Sequence, residues 1–140
     1  ARKKPMLGIC LGMQVMLEWS DENDGVPALG LFPGKVVRFP DPSPDTTGLR
    51  LKVPHMGWNR VRQTQSHPIW EGVPDNAWFY FVHSYHAQPT NPQHTLGSAE
   101  YVYPFAAALA RDNLVAFQFH PEKSQNVGMT LLSNFIQWEP

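Results

Sequence analysis

The sequence predicts an α/β domain with a mostly parallel central sheet and flanking helices. A strand, a glycine turn and a helical pattern follow one another near the start of the chain. A second amphipathic helical pattern closes the chain, and several β-prone apolar runs lie between the two. The 140 residues, 42% of them apolar, suffice for one ordinary domain with a core. We therefore expect residues 1–140 to form a single domain.

The first half of the chain predicts three strands, one helix and one loop. Residues 5–10 form an apolar run typical of a short buried strand, and helical spacing of apolar residues predicts a helix over about 11–19. Loose alternation over 29–39 indicates strand and turn, and the Pro-, Asp-, Ser- and Thr-rich stretch 40–48 is typical of a surface loop. A further strand starts at Leu51 and ends at Pro54, because proline removes a backbone donor.

The second half predicts four strands and a closing helix. Aromatic and β-branched residues over 78–84 favour a central strand. Residues 95–103 and 105–111 predict two more strands that could form a hairpin, and 114–119 predicts a buried strand. The closing helix places five apolar residues on one face: Val127, Leu131, Leu132, Phe135 and Ile136.

Composition and charge exclude several functional classes. The 12 acidic and 11 basic residues nearly cancel, so the chain carries no electrostatic footprint for a nucleic acid or an anionic membrane. No stretch approaches the roughly 20 apolar residues of a membrane span. The single cysteine, Cys10, allows no internal disulfide and favours a reducing compartment. It also leaves a thiol free for chemistry.

The cysteine lies between two glycines at the predicted strand-to-helix switch. Gly8, Cys10 and Gly12 fit a nucleophile elbow, in which glycines permit a strained turn and close approach of a reacting carbonyl. We expect the N-terminus of the following helix to favour the thiolate and the Leu11 N–H to face a developing oxyanion. The alternative is a buried structural cysteine beside two packing glycines.

A candidate base follows the last predicted strand. His120 comes directly after that strand, and Glu122 lies two residues on, so both side chains point to the same side of an extended segment. Glu122 can then accept from one ring nitrogen while the other faces the cysteine. Both Cys10 and His120 would lie at the carboxyl ends of strands, where α/β sheets form their sites. The alternative is a strand-end histidine beside a surface glutamate.

Metal and phosphate sites are not expected. The six histidines and the cysteine show no zinc-ligand spacing. The glycine-rich segment lacks the Lys-Ser/Thr pair of a phosphate-binding loop.

Five segments together resemble a known family. GICLGMQ at 8–14 and FHPEKS at 119–124 resemble the class I, triad-type glutamine amidotransferases. Within that family, LGLFPGKV at 29–36, VPHMGWN at 53–59 and YFVHSY at 80–85 resemble the glutaminase subunits of imidazole glycerol phosphate synthases. The resemblance extends over nearly the whole chain, with the five motifs in the family's order.

The resemblance implies a role for each matching residue. Cys10 would be the nucleophile, His120 the base that later protonates the leaving ammonia, and Glu122 the group that orients His120. Leu11 would supply one oxyanion N–H. The substrate contacts would be Gln14, Glu22, Ser84 and Tyr85. The partner-facing segment would comprise Pro54, His55, Met56, Gly57, Trp58 and Asn59, with Trp58 near the passage for ammonia.

The resemblance also implies a reaction and a partner. Glutamine would be hydrolysed to glutamate and ammonia through a thioester, and the ammonia would pass to the cyclase subunit of the synthase in histidine biosynthesis. That subunit would be a separate chain or a fused domain. No metal or organic cofactor is implied, and the location would be the cytoplasm.

The family places a glycine-rich loop with the second oxyanion donor upstream of the nucleophile. Here only residues 1–6 precede the first strand. We therefore expect this chain to be the C-terminal portion of the domain, to lack the family's N-terminal strands and helices, and to hydrolyse little glutamine alone.

Three alternatives remain open at this stage. One is the glutaminase of another class I amidotransferase, serving anthranilate, carbamoyl phosphate or pyridoxal phosphate synthesis, against which segments 54–59 and 83–85 argue. Another is a non-catalytic partner-binding module, against which the intact Cys10, His120 and Glu122 argue. The third, a cysteine protease or other hydrolase, shares the elbow but does not predict the five motifs in order.

Overall fold

The computed structural model describes residues 4–40 and 54–140. Within these ranges the strands are β1 (Met6–Ile9), β2 (Trp19–Ser20), β3 (Val26–Pro27), β4 (Gly34–Arg38), β5 (His55–Gln63), β6 (Ala77–His83), β7 (Tyr85–Pro89), β8 (Thr95–Tyr101), β9 (Tyr103–Arg111) and β10 (Leu114–Phe117). The helices are α1 (Leu11–Gln14) and α2 (Gln125–Gln137). Short 3-10 turns lie at Glu22–Asp24, Pro68–Trp70, Pro92–His94 and Pro121–Lys123.

The described strands form one mixed sheet. Their order is β3-β2-β4-β7-β9-β8-β5-β6, and β10 pairs with the other edge of β9 and carries β1 beside it. The β1–β10 and β2–β4 pairs are parallel, and the remaining pairs are antiparallel.

The predicted α/β class is confirmed, but the expected mostly parallel pairing is wrong for the described strands. Tight turns are the reason. Val102 joins β8 to β9 with φ 67°, and Asp112 starts the turn from β9 to β10 with φ 51°. Such short connections bring neighbouring strands together antiparallel, whereas a parallel pair needs a long crossover. The predicted hairpin over 95–111 is therefore confirmed.

The sheet is covered on both faces at β10, which places the core around the end of that strand. All four residues of β10 are buried. Val115 and Phe117 join one apolar cluster with Phe79, Phe81, Phe119 and Leu131. Leu114 and Ala116 join a second cluster with Met13, Leu17 and Phe32. Alternate side chains of one strand thus feed two cores, as the strand period of two requires.

The first helix is shorter than predicted. Instead of spanning 11–19, α1 ends at Gln14, and Trp19 belongs to β2. Met13, Met16 and Leu17 are nevertheless buried. The carbonyls of Met16 and Leu17 accept bonds from the N–H groups of Phe32 and Gly30, so a later segment takes the acceptors that a continuing helix would use. Tight turns preserve the burial spacing after the helix has ended.

The aromatic strand β6 is not central as predicted. Among the described strands it pairs with β5 alone and ends the strand order. Its other edge contacts the segment after β10, because the Tyr80 carbonyl accepts from the His120 N–H at 2.9 Å. The predicted loop residues 41–48 and the strand from Leu51 lie outside the described residues. The nine-residue strand β5 had no counterpart in the prediction.

The predicted closing helix is confirmed as α2. Leu131 is fully buried, and Val127 and Phe135 pack against the larger core. Ile136, predicted on the same face, is 81% exposed. In the described part of the chain, no helix has the length and apolarity that crossing a membrane demands.

Candidate active site

Cys10 occupies a strained turn between β1 and α1. Its φ of 55° and ψ of −108° place a non-glycine residue in a rarely adopted conformation. The turn is held on both sides, because the Cys10 N–H donates to the Phe117 carbonyl at 2.7 Å and the Cys10 carbonyl accepts from Met13 at 3.1 Å. Strain maintained in this way is characteristic of functional positions.

The two flanking glycines differ in what surrounds them. A Cβ on Gly8 would lie 2.7 Å from the Gly12 carbonyl oxygen and 3.0 Å from the Met13 nitrogen. A Cβ on Gly12 would meet nothing within 4 Å. Gly8 is thus required by backbone packing, whereas Gly12 borders open space one turn from the cysteine.

The thiol of Cys10 contacts two polar groups. Sγ donates to the Val82 carbonyl at 3.7 Å and accepts from Gln118 Nε2 at 3.7 Å. Burial raises the pKa of the thiol, the Leu11 backbone N–H and Gln118 lower it, and Glu122 raises it. The expectation that the helix N-terminus favours the thiolate is wrong in its net effect, because burial outweighs the donors and α1 is only four residues long.

His120 and Glu122 are joined as predicted from their spacing. His120 Nδ1 lies 2.5 Å from Glu122 Oε1. This contact directs the other ring nitrogen, Nε2, away from Glu122. The Ser124 hydroxyl fixes the backbone of the pair, since it donates to the His120 carbonyl at 2.6 Å and accepts from the Tyr80 N–H at 3.0 Å.

Strand β6 brings the cysteine and the histidine to one place. The Val82 carbonyl contacts the Cys10 thiol, and the Tyr80 carbonyl accepts from the His120 N–H. These carbonyls are two residues apart on one strand, a rise of about 7 Å. The electrostatic influence of Glu122 on the thiol agrees with this proximity. A thiol, an imidazole and a carboxylate in one site are the groups that cysteine nucleophilic catalysis uses.

The predicted substrate contacts are partly brought together. Gln14 and Glu22 line one cleft of about 510 Å³ beside Leu11. Gln14 Nε2 donates to the Tyr85 carbonyl at 3.0 Å, which links Tyr85 to the same region. Gln14 Oε1 is buried with no hydrogen-bond partner. Ser84 is engaged elsewhere by its backbone, because its carbonyl accepts from the Phe39 N–H at 2.9 Å.

The predicted partner-facing segment begins just before β5 and runs into it. Met56 and Trp58 are 63% and 45% exposed, and Pro54 is exposed. His55 points inward and is only 3% exposed, so its side chain does not belong to the surface that the segment presents. Gly57 and Asn59 are half-buried, and Asn59 donates to the Glu100 carbonyl at 2.7 Å.

Trp58 belongs to a larger aromatic surface that includes residues from β6. Its ring meets the Tyr80 ring edge to face at 5.9 Å, and Lys123 Nζ lies 5.9 Å from the centre of the same Tyr80 ring. Trp58 and Trp78, the latter 50% exposed, also border a cleft of about 680 Å³. Exposed aromatic rings with a lysine at their margin are typical of protein interfaces.

Sequence reasoning missed three polar residues of the site. Gln118 is fully buried against the thiol, Ser124 is fully buried behind His120, and His83 is 5% exposed beside Tyr85. A signal for Gln118 was present, because it is the one polar residue in the apolar run 114–119. In residues 4–40 and 54–140, His, Cys, Asp and Glu side chains form no group of three able to hold a metal ion.

Comparison with known proteins assigns the family. The family model for glutamine amidotransferase class-I matches residues 1–138. The chain belongs to this family. Solved structures described as amidotransferases or synthase components also share its fold. A GMP synthase component of Thermoplasma acidophilum superimposes with a TM-score of 0.66 at 22% identity, over 95% of this chain and 56% of the other. A glutamine amidotransferase of Thermotoga maritima gives 0.57 at 20% identity, over 95% and 45%.

More similar relatives within the amidotransferase family carry a narrower name. The imidazole glycerol phosphate synthase subunits HisH of Methylococcus capsulatus and Thiobacillus denitrificans are both 55% identical over the whole of this chain. The corresponding subunit HisH 1 of Pseudomonas aeruginosa is 52% identical over 99% of it. The chain spans 65%, 61% and 65% of the lengths of these three relatives.

Proposed function

We propose that the protein is the glutaminase subunit of an imidazole glycerol phosphate synthase and serves histidine biosynthesis. The carrying observation is that β6 holds Cys10 and His120 by carbonyls two residues apart, with Glu122 on the far nitrogen of the histidine. The family assignment supports glutamine as substrate. The names of the relatives at 52–55% identity support the synthase.

The proposed reaction begins with attack by the cysteine on glutamine. His120 Nε2 takes the thiol proton as Sγ bonds to the carboxamide carbon, and the carbonyl electrons move to oxygen. The raised thiol pKa makes this base necessary, because the resting sulfur keeps its proton. Glu122 on Nδ1 stabilises the imidazolium that forms. The Leu11 N–H, already directed at the cysteine side chain, donates to the oxyanion.

The second half of the reaction releases ammonia and then glutamate. The tetrahedral intermediate collapses with cleavage of the C–N bond, and His120 returns its proton to the leaving nitrogen. A water molecule then attacks the thioester while His120 takes its proton, and the C–S bond breaks to regenerate the Cys10 thiol. Each proton taken by the histidine is thus returned, so the triad is unchanged after one turnover.

The proposed substrate site is the cleft beside the elbow. The unpartnered Gln14 Oε1 can accept from the α-ammonium or the amide of glutamine, and a buried acceptor without a partner is costly until a ligand satisfies it. Glu22 on the same cleft adds a negative charge for the ammonium group. Ser84 and Tyr85 are proposed as further contacts to the substrate backbone.

The proposed partner is the cyclase subunit, which would receive the ammonia as a separate chain or as a fused domain. The exposed Met56, Trp58 and Trp78 support a protein partner on this face, because clustered exposed apolar rings mark interaction surfaces. Trp58 would lie beside the ammonia passage. The free cysteine is compatible with the proposed cytoplasmic location.

Covalent labelling tests the catalytic assignment. A diazoketone analogue of glutamine should modify Cys10 in the complete natural polypeptide bound to its partner, and mass spectrometry of the Cys10 peptide measures it. His120→Ala should abolish the modification, because no base then activates the thiol. His94→Ala, a histidine outside the site whose ring packs on Phe32, serves as the control and should label normally. Equal labelling of all three proteins would contradict the assignment.

Association with the partner tests the synthase assignment. Trp58→Ala should weaken binding to the cyclase partner by tenfold or more, since central aromatic residues dominate interface energies. Trp19→Ala is the matched control, because Trp19 is 42% exposed and lies on β2, a strand of the opposite part of the sheet. Co-purification of an anthranilate, carbamoyl phosphate or pyridoxal phosphate synthase instead would transfer the protein to another branch of the family.

A further inference from the structure

A buried amide donates to the sulfur of Cys10. Gln118 is fully buried, and its Nε2 lies 3.7 Å from Sγ. Its Oε1 accepts from Gln14 Nε2 at 3.0 Å. The side chain therefore uses both ends of its amide, one on the nucleophile and one on a second glutamine. Reversal of the amide would withdraw the donor from the sulfur.

The orientation of this amide is determined by its neighbours. Gln14 Nε2 lies 3.0 Å from both Gln118 Oε1 and the Tyr85 carbonyl. A backbone carbonyl can only accept, so the Gln14 atom that faces it must be the NH₂ group. The second hydrogen of that group requires an acceptor on Gln118. Gln118 consequently presents its oxygen to Gln14 and its own NH₂ group to Cys10.

The Tyr85 carbonyl also receives a histidine. His83 Nδ1 lies 2.8 Å from it and must donate, which leaves His83 Nε2 as an acceptor. His55 Nδ1 lies 3.0 Å from that Nε2 and must donate in turn. Burial lowers the pKa of His83 to about 3 and that of His55 to about 4. Both rings are therefore neutral, as this order of donors requires.

We propose that Gln118 is a further catalytic residue that donates to the Cys10 thiolate, and that His55, His83 and Gln14 are positioning residues that keep its amide directed at the sulfur. This inference rests on the proposed function. His55 is the first residue of β5, next to the exposed Met56 of the proposed partner-facing segment. A shift of that segment would thus reach the nucleophile through a continuous series of buried hydrogen bonds.

Other groups also act on the thiol and define how the test must be designed. Besides burial and the Leu11 N–H, the charges of Glu122 and Lys123 raise and lower its pKa respectively. His120 lies in the same site. Gln118 is uncharged, so its replacement by an apolar side chain removes a donor and leaves every charge near the thiol in place. A change of thiol pKa then reports the donor alone.

The first test measures the Cys10 thiol directly. Gln118→Met, in the complete natural polypeptide bound to its partner, should raise the apparent thiol pKa by about one unit. Iodoacetamide alkylation of the Cys10 peptide at neutral pH should then be roughly tenfold slower, because only the thiolate reacts. Gln63→Met is the control, since Gln63 Nε2 donates to the Val73 carbonyl at 2.8 Å, away from the site. An unchanged alkylation profile in folded Gln118→Met overturns the proposal.

A second variant covers a failure of Gln118→Met to fold. Gln118→Asn keeps the amide but withdraws it from the sulfur by one methylene, and it should shift the profile in the same direction. Alkylation requires no turnover of glutamine, so this readout is separate from the proposed function. A shift without glutaminase activity in the wild-type protein would refute the proposed function and retain the donor. Normal activity without a shift in either variant would do the reverse.

The third test addresses the positioning residues. His55→Phe keeps an aromatic ring against Phe81 and Tyr101, whose centroids lie 4.9 Å and 3.9 Å from that of His55, and removes the donor to His83. It should raise the thiol pKa by less than Gln118→Met, with the fold retained. The double variant should match Gln118→Met alone, because His55 acts only through that amide. Additive shifts, or no shift in His55→Phe, overturn the positioning role.

Discussion

Replacement of the two elbow glycines by alanine should have opposite effects on stability. At Gly8, the new methyl group would lie 2.7 Å from the Gly12 oxygen, 2.8 Å from the Gly12 carbonyl carbon and 3.0 Å from the Met13 nitrogen. All three atoms belong to the backbone, so no side chain can rotate away. The strand and the helix would have to separate at the turn that holds Cys10.

The size of each effect follows from these distances. Overpacking of this kind costs about 1–3 kcal/mol, and a rigid backbone neighbour favours the upper part of that range. At Gly12 a methyl group meets nothing within 4 Å, and Gly12 lies inside α1. Gly→Ala within a helix gains roughly 0.5–1 kcal/mol. The two variants should therefore differ by about 2–4 kcal/mol in the free energy of unfolding.

Urea unfolding of the complete natural polypeptide measures this difference. Gly8→Ala should lower the transition midpoint, and Gly12→Ala should leave it unchanged or raise it. Equal midpoints, or a lower midpoint for Gly12→Ala, would refute the assignment of Gly8 as the packing glycine and Gly12 as the glycine at open space. The slopes of the transitions should stay similar, because neither change alters the surface exposed on unfolding.

The same two variants separate stability from chemistry. The open space over Gly12 lies beside the nucleophile, where the proposed carboxamide of glutamine must approach the backbone. Gly12→Ala should therefore reduce glutaminase turnover at least tenfold while the protein remains as stable as wild type. A fully active Gly12→Ala protein would show that the substrate does not use this space.

Three further predictions concern the support of the site. Gly128→Ala should destabilise the protein by at least 2 kcal/mol in urea unfolding, since its methyl group would collide with the Pro121 carbonyl and displace α2; a wild-type midpoint would contradict this. Ser124→Ala leaves two buried backbone groups unpaired and should cost about 1–3 kcal/mol and reduce turnover, and unchanged values of both would remove its supporting role. Acid should unfold the protein through His55 and His83, whose folded-state pKa values of about 4 and about 3 lie below the usual 6.5. The unfolded state then binds more protons, so stability is complete above about pH 6.5 and falls towards pH 4. His55→Phe should flatten this fall in unfolding titrations, and an identical pH profile would contradict the cause.

Local signals in the sequence predicted local features of the fold well. The apolar run before the glycines, the hairpin over 95–111 and the closing helix each depend on neighbours in sequence. The direction of strand pairing depends on connections instead, and a non-glycine residue such as Val102 adopting φ 67° has no strong sequence signal. The expectation of parallel strands failed for that reason.

The aromatic strand shows how a covered edge can be mistaken for a paired one. Burial alternates along β6, and Phe79 and Phe81 are fully buried, which gives the strand a central composition. Its outer edge is covered by side chains and turns rather than by another described strand: the Cys10 thiol, the His120 N–H and the Ser124 hydroxyl each bond to it. Composition reports burial and cannot distinguish these partners.

The candidate site divides in the same way. Cys10, His120 and Glu122 could be found because the chemistry lies in short motifs, with i and i+2 on one side of an extended segment. Gln118 could not be assigned, because its partners Gln14 and Cys10 lie more than one hundred positions away. A polar residue in a buried strand signals a hydrogen bond, and only the fold identifies the acceptor.

Tyr80 explains why one strand can serve both the chemistry and the proposed partner. Its backbone holds His120 through the carbonyl and Ser124 through the N–H, while its ring contacts Trp58 and Lys123 at the surface. Neighbouring strands are about 4.8 Å apart, so β5 with Trp58 lies one strand spacing from the backbone that carries the catalytic pair. A partner that contacts Trp58 therefore acts on atoms directly bonded to the site, and a long-range conformational change is not needed to connect the two.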